Sequence, residues 1–396
     1  MSMKNSNKCS TLRRITYTDD NIGAFSSTKI STKIICIIHS ILLFFSSYAI
    51  VSIMKVRLSD IAARAEISLS AASLALQGKQ GVSSETAERV KRIAKELGYK
   101  ASKKSDRHPA FIQFVKIVKH GNILNQAHVP FIADYADGLM EEGRTLFRSV
   151  MISSFALSET DLPSIVKRLD ASGSAGAIIL GTELDAEDIA RFSELSIPCV
   201  FIDAYYDYLP FSFFDMNNSD SVASIAQSLF RAGHRRIGIV QGSSLSPNFV
   251  LRESAFRESL DRLGLAVERR ILVGSRFDEA RVDMRGALAG GEGELPTAFF
   301  CVNDVIALGV MRALVEEGVA VPGRVSVVGF DDLEASAMAS PPLATVSVPK
   351  RRIAKRALRS LVEAIERGER PSEKTLVSGE LILRESVAPP ARDALY

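Results

Sequence analysis

Residues 58–78 read Leu-Ser-Asp-Ile-Ala-Ala-Arg-Ala-Glu-Ile-Ser-Leu-Ser-Ala-Ala-Ser-Leu-Ala-Leu-Gln-Gly, a stretch whose hydroxyls and small side chains suit contact with phosphates and base edges. Leu58, Ile61, Ala62 and Ala65 fall at i, i+3, i+4 and i+7, the buried stripe of a short amphipathic helix. Ser68 is placed to N-cap a second helix in which Ala72, Ala75 and Leu76 face inward. Ser83 caps a third helix that buries Val90, Ile93, Ala94 and Leu97 and stops at Gly98. Three such helices make a helix-turn-helix, whose second helix lies in the major groove of a duplex. A plain three-helix bundle without nucleic acid is the competing reading, and charge argues against it. Residues 54–109 hold twelve Lys/Arg against six Asp/Glu, and residues 1–53 hold six against two. The chain as a whole is only +3, so residues 110–396 carry −7. A basic head on an acidic body is the footprint of a phosphate-binding module.

A second set of polar residues sits at the ends of apolar runs in the body. Runs at 111–118, 149–153, 177–180, 199–203, 236–241, 298–302 and 326–330 read as buried strands. They alternate with helical patterns such as 132–147, 161–172, 219–232, 252–263 and 305–317, which predicts parallel sheets built from βαβ units. Seven or more strands over this length fit two lobes better than one sheet. Ligands of such sheets bind in the crevice at the strands' carboxyl ends. Asp203, Asn303, Asp304, Asp331 and Asp332 occupy those ends, and Arg252 opens a helix that can point into the same cleft. Carboxylates, an amide and a guanidinium converging there suit a hydroxyl-rich neutral molecule. Asp304 and Asp332 are expected to N-cap the following helices, and Asn303, Asp331 and Arg252 to touch ligand. His234, in Ala-Gly-His-Arg-Arg, is expected at a helix C-terminus, where its charge suits the dipole.

Length sets the remaining bounds: 396 residues make at least two domains. Cys9, Cys36, Cys199 and Cys301 are scattered without metal-ligand spacing and read as thiols in a reducing compartment. Residues 34–53 form an uncharged run of about 20 residues, the length of a membrane span, broken by four serines and His39. Two readings compete for residues 1–53: an apolar anchor, or a non-native extension translated from a start codon placed too early, with Met54 the initiator. Geometry favours the second, because the first helix begins only about five residues later, a reach of roughly 17 Å. No A-x-A-like cleavage site follows. Residues 101–109, polar and basic, read as a linker. There is no G-x-S-x-G elbow, H-E-x-x-H, P-loop or G-x-G-x-x-G after a strand, and the histidines share no metal spacing, so neither cofactor nor metal is expected.

On these residues the chain resembles the LacI/GalR family of bacterial transcriptional repressors, from Met54 to about Pro390. The shared motifs include Asp60-Ile-Ala with Ile67-Ser68, Val82-Ser83-x-x-Thr86, Glu96-Leu-Gly-Tyr99 and Asp215-x-Asn217. Further along come Gly233-His-Arg-Arg-Ile237, Arg252-x-x-x-Phe256, Asn303-Asp304-x-x-Ala307-Leu-Gly309, Val328-Gly-Phe-Asp-Asp332, Pro341-Pro-Leu-x-Thr345-Val and Leu383-Arg-Glu-Ser386. Each is weak alone; their order and spacing are specific. The resemblance implies an N-terminal all-α helix-turn-helix head (54–100) and a periplasmic-binding-protein-like (type I) α/β core (110–396). The core would have two lobes, 110–214 with 347–372 and 215–346 with 373–396, the chain crossing near Phe214, Val346 and Ser372. Leu69, Ser70 and Leu74 match groove-facing positions that read bases. Ser68, Ser73, Gln77, Ser83 and Thr86 match phosphate-contacting positions. Phe131, Arg252, Asn303 and Asp331 match effector-contacting positions, alongside Asp203.

Four departures stand out. Leu74 replaces the usual guanine-reading arginine and offers only apolar contact, for instance to a thymine methyl. Glu66 replaces a turn glycine, so the turn must tolerate a side chain. The hinge segment reads Ala101-Ser102, with His108 near the position of the usual apolar wedge. The loop between Val118 and Pro130 is longer than usual. The C-terminus, Ala388-Pro-Pro-Ala-Arg-Asp-Ala-Leu-Tyr396, has no leucine heptad, so homodimers are expected.

The expected function is therefore a sequence-specific DNA-binding regulator, a repressor on a pseudo-palindromic double-stranded operator. A small effector, a sugar or sugar acid with a nucleobase as the other candidate, would control it. The expected location is the cytoplasm, on the nucleoid, away from membranes. An exported or membrane-anchored solute-binding protein without a DNA role is the alternative; an enzyme on a Rossmann-like body is disfavoured.

Overall fold

Three helices form where the apolar spacing requires them: α1 (Leu58–Arg64), α2 (Leu69–Gln77) and α3 (Ser84–Glu96). The computed structural model describes residues 58–77, 81–99, 111–244, 246–290 and 293–391; the side chains of Leu58, Ser59, Leu69, Ser70, Ser73 and Gln77 lie outside that description. The apolar run at 34–53 and the linker at 101–109 lie outside it too. The chain divides into two units, Met1–Ser105 and Asp106–Tyr396.

In the first unit Ile61, Ala65, Ala75, Val90, Ile93 and Ala94 form the core, with Ile67, Leu76, Val82, Leu97 and Tyr99 packed against it. Ser68 Oγ accepts the Ala71 N–H at 3.2 Å and Ser83 Oγ the Thr86 N–H at 3.2 Å, so both caps fall where the sequence places them. Arg89 reaches across to donate to the Ala65 carbonyl at 3.0 Å and ties α3 to the turn. Glu66, in that turn, has φ +53°, a left-handed conformation that glycine adopts at less cost than any L side chain.

The second unit is built on two parallel sheets. The first has β1 (Ile112–Val118), β2 (Val150–Ala156), β3 (Gly176–Leu180), β4 (Cys199–Ile202), β5 (Ser212–Met216) and a late strand, β11 (Lys374–Val377), in the order 11-5-4-3-1-2. The second has β6 (Ile237–Gly242), β7 (Val267–Val273), β8 (Ala298–Cys301) and β9 (Ser326–Val328) in the order 7-6-8-9, beside an antiparallel pair, β10 (Thr345–Ser347) and β12 (Glu380–Ile382). Alternation fixes the faces of the first sheet. Phe114, Ile178, Leu180, Val200, Ile202 and Phe214 face one buried cluster, and Val115, Ile117, Ala177, Ile179, Phe201 and Phe213 the other. Helices α4 (Val129–Thr145) and α12 (Lys350–Arg367) pack together, and α12 lies against β3, β4 and β5. In the second lobe α7 (Asn218–Arg231) packs on α8 (Pro247–Asp261), and α9 (Phe277–Ala289) on α10 (Asp304–Glu316).

Two expectations need correction. The lobe boundaries expected near Phe214 and Ser372 fall later, because β5 runs to Met216 and Lys374–Val377 hydrogen-bonds beside it as an edge strand of the first sheet. The lobes are joined at 217, 348–349 and 378–379, where the Asn217 N–H donates to the Val377 carbonyl at 2.9 Å. His234 is no exposed charge at a helix end. It is fully buried, Nε2 donating to the Ala388 carbonyl at 3.0 Å and Nδ1 lying 2.9 Å from the Thr297 hydroxyl. Burial lowers its pKa, so the ring is neutral and pins the C-terminal segment to the second sheet.

Relieving the turn tests the head's local strain. Glu66→Gly is expected to raise its stability by about 1 kcal/mol, read as a higher denaturant midpoint for the helical transition of the first unit.

Candidate ligand cleft and nucleic-acid interface

Each sheet of the core reverses its winding direction once, between β1 and β3 in the first and between β6 and β8 in the second. Crevices open at the carboxyl ends of such switch points. Polar side chains from both lobes gather there into one buried cluster centred on Arg252, which is 2% exposed. Its Nε donates to Asn218 Oδ1 at 3.0 Å, Nη1 to the Val302 carbonyl at 2.6 Å, and Nη2 lies 2.9 Å from Met216 Sδ. The guanidinium lies over the Phe330 ring at 3.7 Å and 3.4 Å from Asp331 Oδ1.

Asn218 Nδ2 in turn donates to Asn248 Oδ1 at 2.8 Å, and Asn248 Nδ2 to Asp203 Oδ1 at 3.2 Å. Thr182 donates to the other Asp203 oxygen. Asp203 and Asp331 have φ of +58° and +116°, strained backbone of the kind held at binding sites. Across the cleft, Asn303 Nδ2 meets His128 Nε2 at 3.2 Å. Lys350 Nζ donates to the Asp331 carbonyl at 3.0 Å and lies 4.8 Å above the Phe131 ring. All five residues expected to touch ligand are therefore brought together.

Burial dominates the electrostatics. It pushes the Asp203 carboxyl up to about 7 and raises Asp215 well above the carboxylate range, the neighbouring Asp203 charge adding to the rise. Asp331 is raised by burial, against the pull of Arg252, His128 and Lys350. Burial lowers His128, so the ring meeting Asn303 is neutral. Among the described residues, Tyr135 OH, Asp215 Oδ2, His128 Nδ1 and Asp331 Oδ1 of this cluster are buried without a hydrogen-bond partner, Asp331 Oδ1 keeping its ion pair with Arg252. Such atoms are rare in folded proteins.

The long loop at 119–128 forms one wall. Burial pushes its anchor, Glu183, up, but backbone N–H donors at Leu124, Gly121, Ile123 and His120 more than reverse this and hold the carboxyl below its usual range. The donors sit at 2.8–3.1 Å, with Lys119 N a fifth at 2.9 Å. The loop bridges the lobes through Asn122 Nδ2 to Ser244 Oγ at 2.9 Å and through His128 to Asn303. Beside the cluster lies an open groove of about 620 Å³ lined by Lys119, Asp185, Tyr205, Tyr206, Tyr208 and Val250 among others. None of the five expected residues lines it, yet Ser246, Pro247, Glu183 and Leu184 do, next in sequence to Asn248 and Thr182.

The capping assignments at the strand ends change. Asn303, not Asp304, caps α10, accepting the Ile306 N–H at 2.9 Å. Asp304 instead accepts from Thr345 at 2.6 Å, Ser336 at 2.7 Å and the Leu333 N–H at 2.9 Å. Asp332 caps no helix and pairs with Arg384 at 2.6 Å. Asn218, Asn248, Tyr135 and Lys350 went unread, and Asp215 was read only as part of a motif. Asn248 and Arg252, four apart on one helix, and Asp215, inside the apolar run Ser-Phe-Phe-Asp-Met, were the available signals.

On the head, Ser68, Ser83 and Thr86 lie at helix starts; Ser83 and Thr86 hydroxyls are 2.8 Å apart. Leu74 is half-buried. Leu69, Ser70, Ser73 and Gln77 lie on α2, their side chains outside the described residues.

A helix-turn-helix unit and a two-lobed binding core on one chain define a ligand-responsive DNA-binding protein. Residues 57–102 match the family model of bacterial regulatory proteins, lacI family, and residues 226–387 that of the periplasmic binding protein-like domain. Residues 57–102 therefore carry a lacI-family domain, and the core carries a periplasmic-binding-protein-like one. The ribose operon repressor of Haemophilus influenzae is 26% identical over 339 residues, covering 83% of this chain and 98% of the relative. The transcriptional repressor PurR of Haemophilus influenzae (strain PittEE) is 27% identical over 342 residues, with the same coverage. Among solved structures, the lac repressor dimer bound to operator and the anti-inducer ONPF shares the fold with a TM-score of 0.64 at 24% identity, covering 85% of this chain and all of that one. The transcriptional regulator CelR–cellobiose complex does so with 0.62 at 24% identity, covering 84% of this chain and all of its own.

Arg252→Ala strands buried partners on both lobes and is expected to destabilise the core by about 3 kcal/mol in urea melts, so it is a folding lesion before it is a binding one. The raised carboxyls set a pH dependence. A carboxyl whose folded pKa lies above its unfolded value stabilises fully at low pH, and that contribution fades as pH rises through the folded value. The Tm of the ligand-free protein is therefore expected to rise from pH 8 to pH 6, and Asp203→Asn to flatten the trend.

Proposed function

We propose that this protein is a transcriptional repressor that binds a pseudo-palindromic operator as a homodimer and releases or holds it according to a small effector between the core lobes. The observation that carries this is a lacI-family head on the same chain as a two-lobed core whose lobes meet over a strained, buried polar cluster. Effector and operator would then be coupled sites biasing one hinged body.

On the head, Leu69, Ser70 and Leu74 read base edges, and Ser68, Ser73, Gln77, Ser83 and Thr86 hold phosphates. The excess of Lys/Arg over residues 54–109 supports this, because phosphate neutralisation supplies most of the affinity. In the core, Phe131, Asp203, Arg252, Asn303 and Asp331 form the effector site. A sugar or sugar acid suits them, since amides and carboxylates pair with ring hydroxyls. The protein acts in the cytoplasm and is not an enzyme; its relatives are repressors.

Apolar residues on two edge strands and beside them support a dimer. Phe147 is 93% exposed, Met151 49% and Ile152 53% along β2, and Leu272 is 53% exposed on β7. Uncovered apolar edges of this kind mark pairing surfaces.

Gel shifts with duplex from upstream of the protein's own gene test the assignments. Thr86→Ala should weaken binding to all sequences about fivefold, the worth of a single hydrogen bond to phosphate. Leu74→Arg should instead change which sequences bind. A Leu74 variant with unaltered preference would move the groove contact elsewhere on α2. Ile152→Glu should shift the protein toward monomer in sedimentation and weaken operator binding with it.

A further inference from the structure

We propose that the open groove beside the buried cluster is a ligand site in its own right, and that it takes an organic cation with an aromatic body, an arylalkylamine or aryl quaternary ammonium. The groove holds about 620 Å³, inside the range of roughly 300–1,000 Å³ usual for small-molecule sites. Both lobes supply its walls: Leu184, Tyr206 and Tyr208 on one side, Pro247, Val250 and Leu251 on the other. Tyr208 is 70% exposed and Val250 49%, so apolar surface from each lobe is left uncovered in the groove. The Tyr206 hydroxyl donates to the Leu184 carbonyl at 3.2 Å and its ring packs edge-on against Phe213, which fixes that wall in place. Tyr208 stands against it, ring centroids 6.0 Å apart and planes inclined by 71°, and the two make an aromatic corner. None of these residues is among those expected to touch the effector, so the site does not depend on which molecule the buried cluster takes.

The charges around this corner select the sign of the ligand. Asp207, between the two tyrosines in sequence, lines the groove, and its carboxylate has no hydrogen bond or ion pair among the described residues. Lys374, the cation whose charge it supports, donates instead to the Leu209 and Phe211 carbonyls at 2.7 and 2.5 Å. Lys119, the only Lys or Arg lining the groove, is held by Asp185 and Asp188 at 2.5 and 2.6 Å. Glu183 and Asp185 stay charged. Burial pushes both up, but backbone N–H donors at Glu183 and the Lys119 hydrogen bond at Asp185 more than reverse it. His120 Nδ1 accepts the Asn122 N–H at 3.2 Å and adds no fixed positive charge. A spare carboxylate beside tyrosine rings, whose faces carry negative potential, attracts an ammonium through both. A bare metal ion would leave the apolar walls unused, and no group of three His, Cys, Asp or Glu able to hold one occurs among the described residues. Occupancy would be felt by both lobes, because Pro247, Val250 and Leu251 belong to the helix that carries Asn248 and Arg252.

The test is calorimetry and thermal shift on the full chain with matched probes: tryptamine and benzyltrimethylammonium as cations, tryptophol as the neutral analogue and indole-3-propionate as the acid. At least one cation is expected to bind and raise the Tm, with the alcohol and the acid at least about tenfold weaker. Asp207→Asn and Tyr208→Ala, both at exposed positions, are each expected to weaken that cation about fivefold while the ligand-free Tm stays unchanged. The alcohol or the acid binding as tightly as the cations overturns the proposal. So does binding of neither cation, or of a cation that both variants hold as tightly as the unaltered chain.

Discussion

Arg252 is a full positive charge placed where solvent does not reach, and the core is arranged around keeping it there. A buried guanidinium is tolerated only when its donors are met and a counter-charge is close. Here an amide from the start of α7, a carbonyl from the end of β8, a thioether from the end of β5, a carboxylate beyond β9 and the Phe330 ring share that task. Met216 belongs to the first sheet; Val302 and Asp331 follow strands of the second. The same group therefore senses the position of both lobes. A ligand that perturbs any of these partners alters how the lobes are held, without needing to touch the segments that join them.

Those joining segments are short and lie side by side. Asn217 donates to Val377, Ser378 Oγ donates to Asp220 Oδ2 at 2.9 Å, and Asp331 bridges to Ser347. A hinge of three adjacent crossings concentrates movement in a few backbone dihedrals while the sheets stay rigid. The 119–128 loop reaches across through Asn122 and His128, and Glu183 holds it by accepting from five backbone N–H groups. A ligand controls a distant binding surface only by favouring one arrangement of such a body over another.

The sequence was most legible where a local rule acted alone. Apolar spacing and serine caps drew the three head helices, and the departure at Glu66 reappears as a positive φ. Apolar runs placed seven strands and, at their ends, Asp203, Asn303 and Asp331. Where partners come from far along the chain, local reasoning had nothing to work with. Asp304 looks like a cap but serves Thr345, 41 residues away; Asp332 looks like one but serves Arg384, 52 residues away. Lys374–Val377 became a strand of the first lobe only because β5 offered it an edge. Val267–Val273, with Glu268, Arg269 and Arg270 in it, hid as an exposed edge strand. His234 was misjudged because its burial depends on the C-terminal segment folding back over it.

Linkage between the two units is the claim on which the functional account stands, and reciprocity tests it directly. Duplex affinity of the full chain is to be titrated with and without a saturating compound that stabilises the core, and affinity for that compound with and without saturating duplex. The account predicts that both affinities change, by the same factor and in the same direction. A compound that binds the core tightly while duplex affinity stays constant would contradict it.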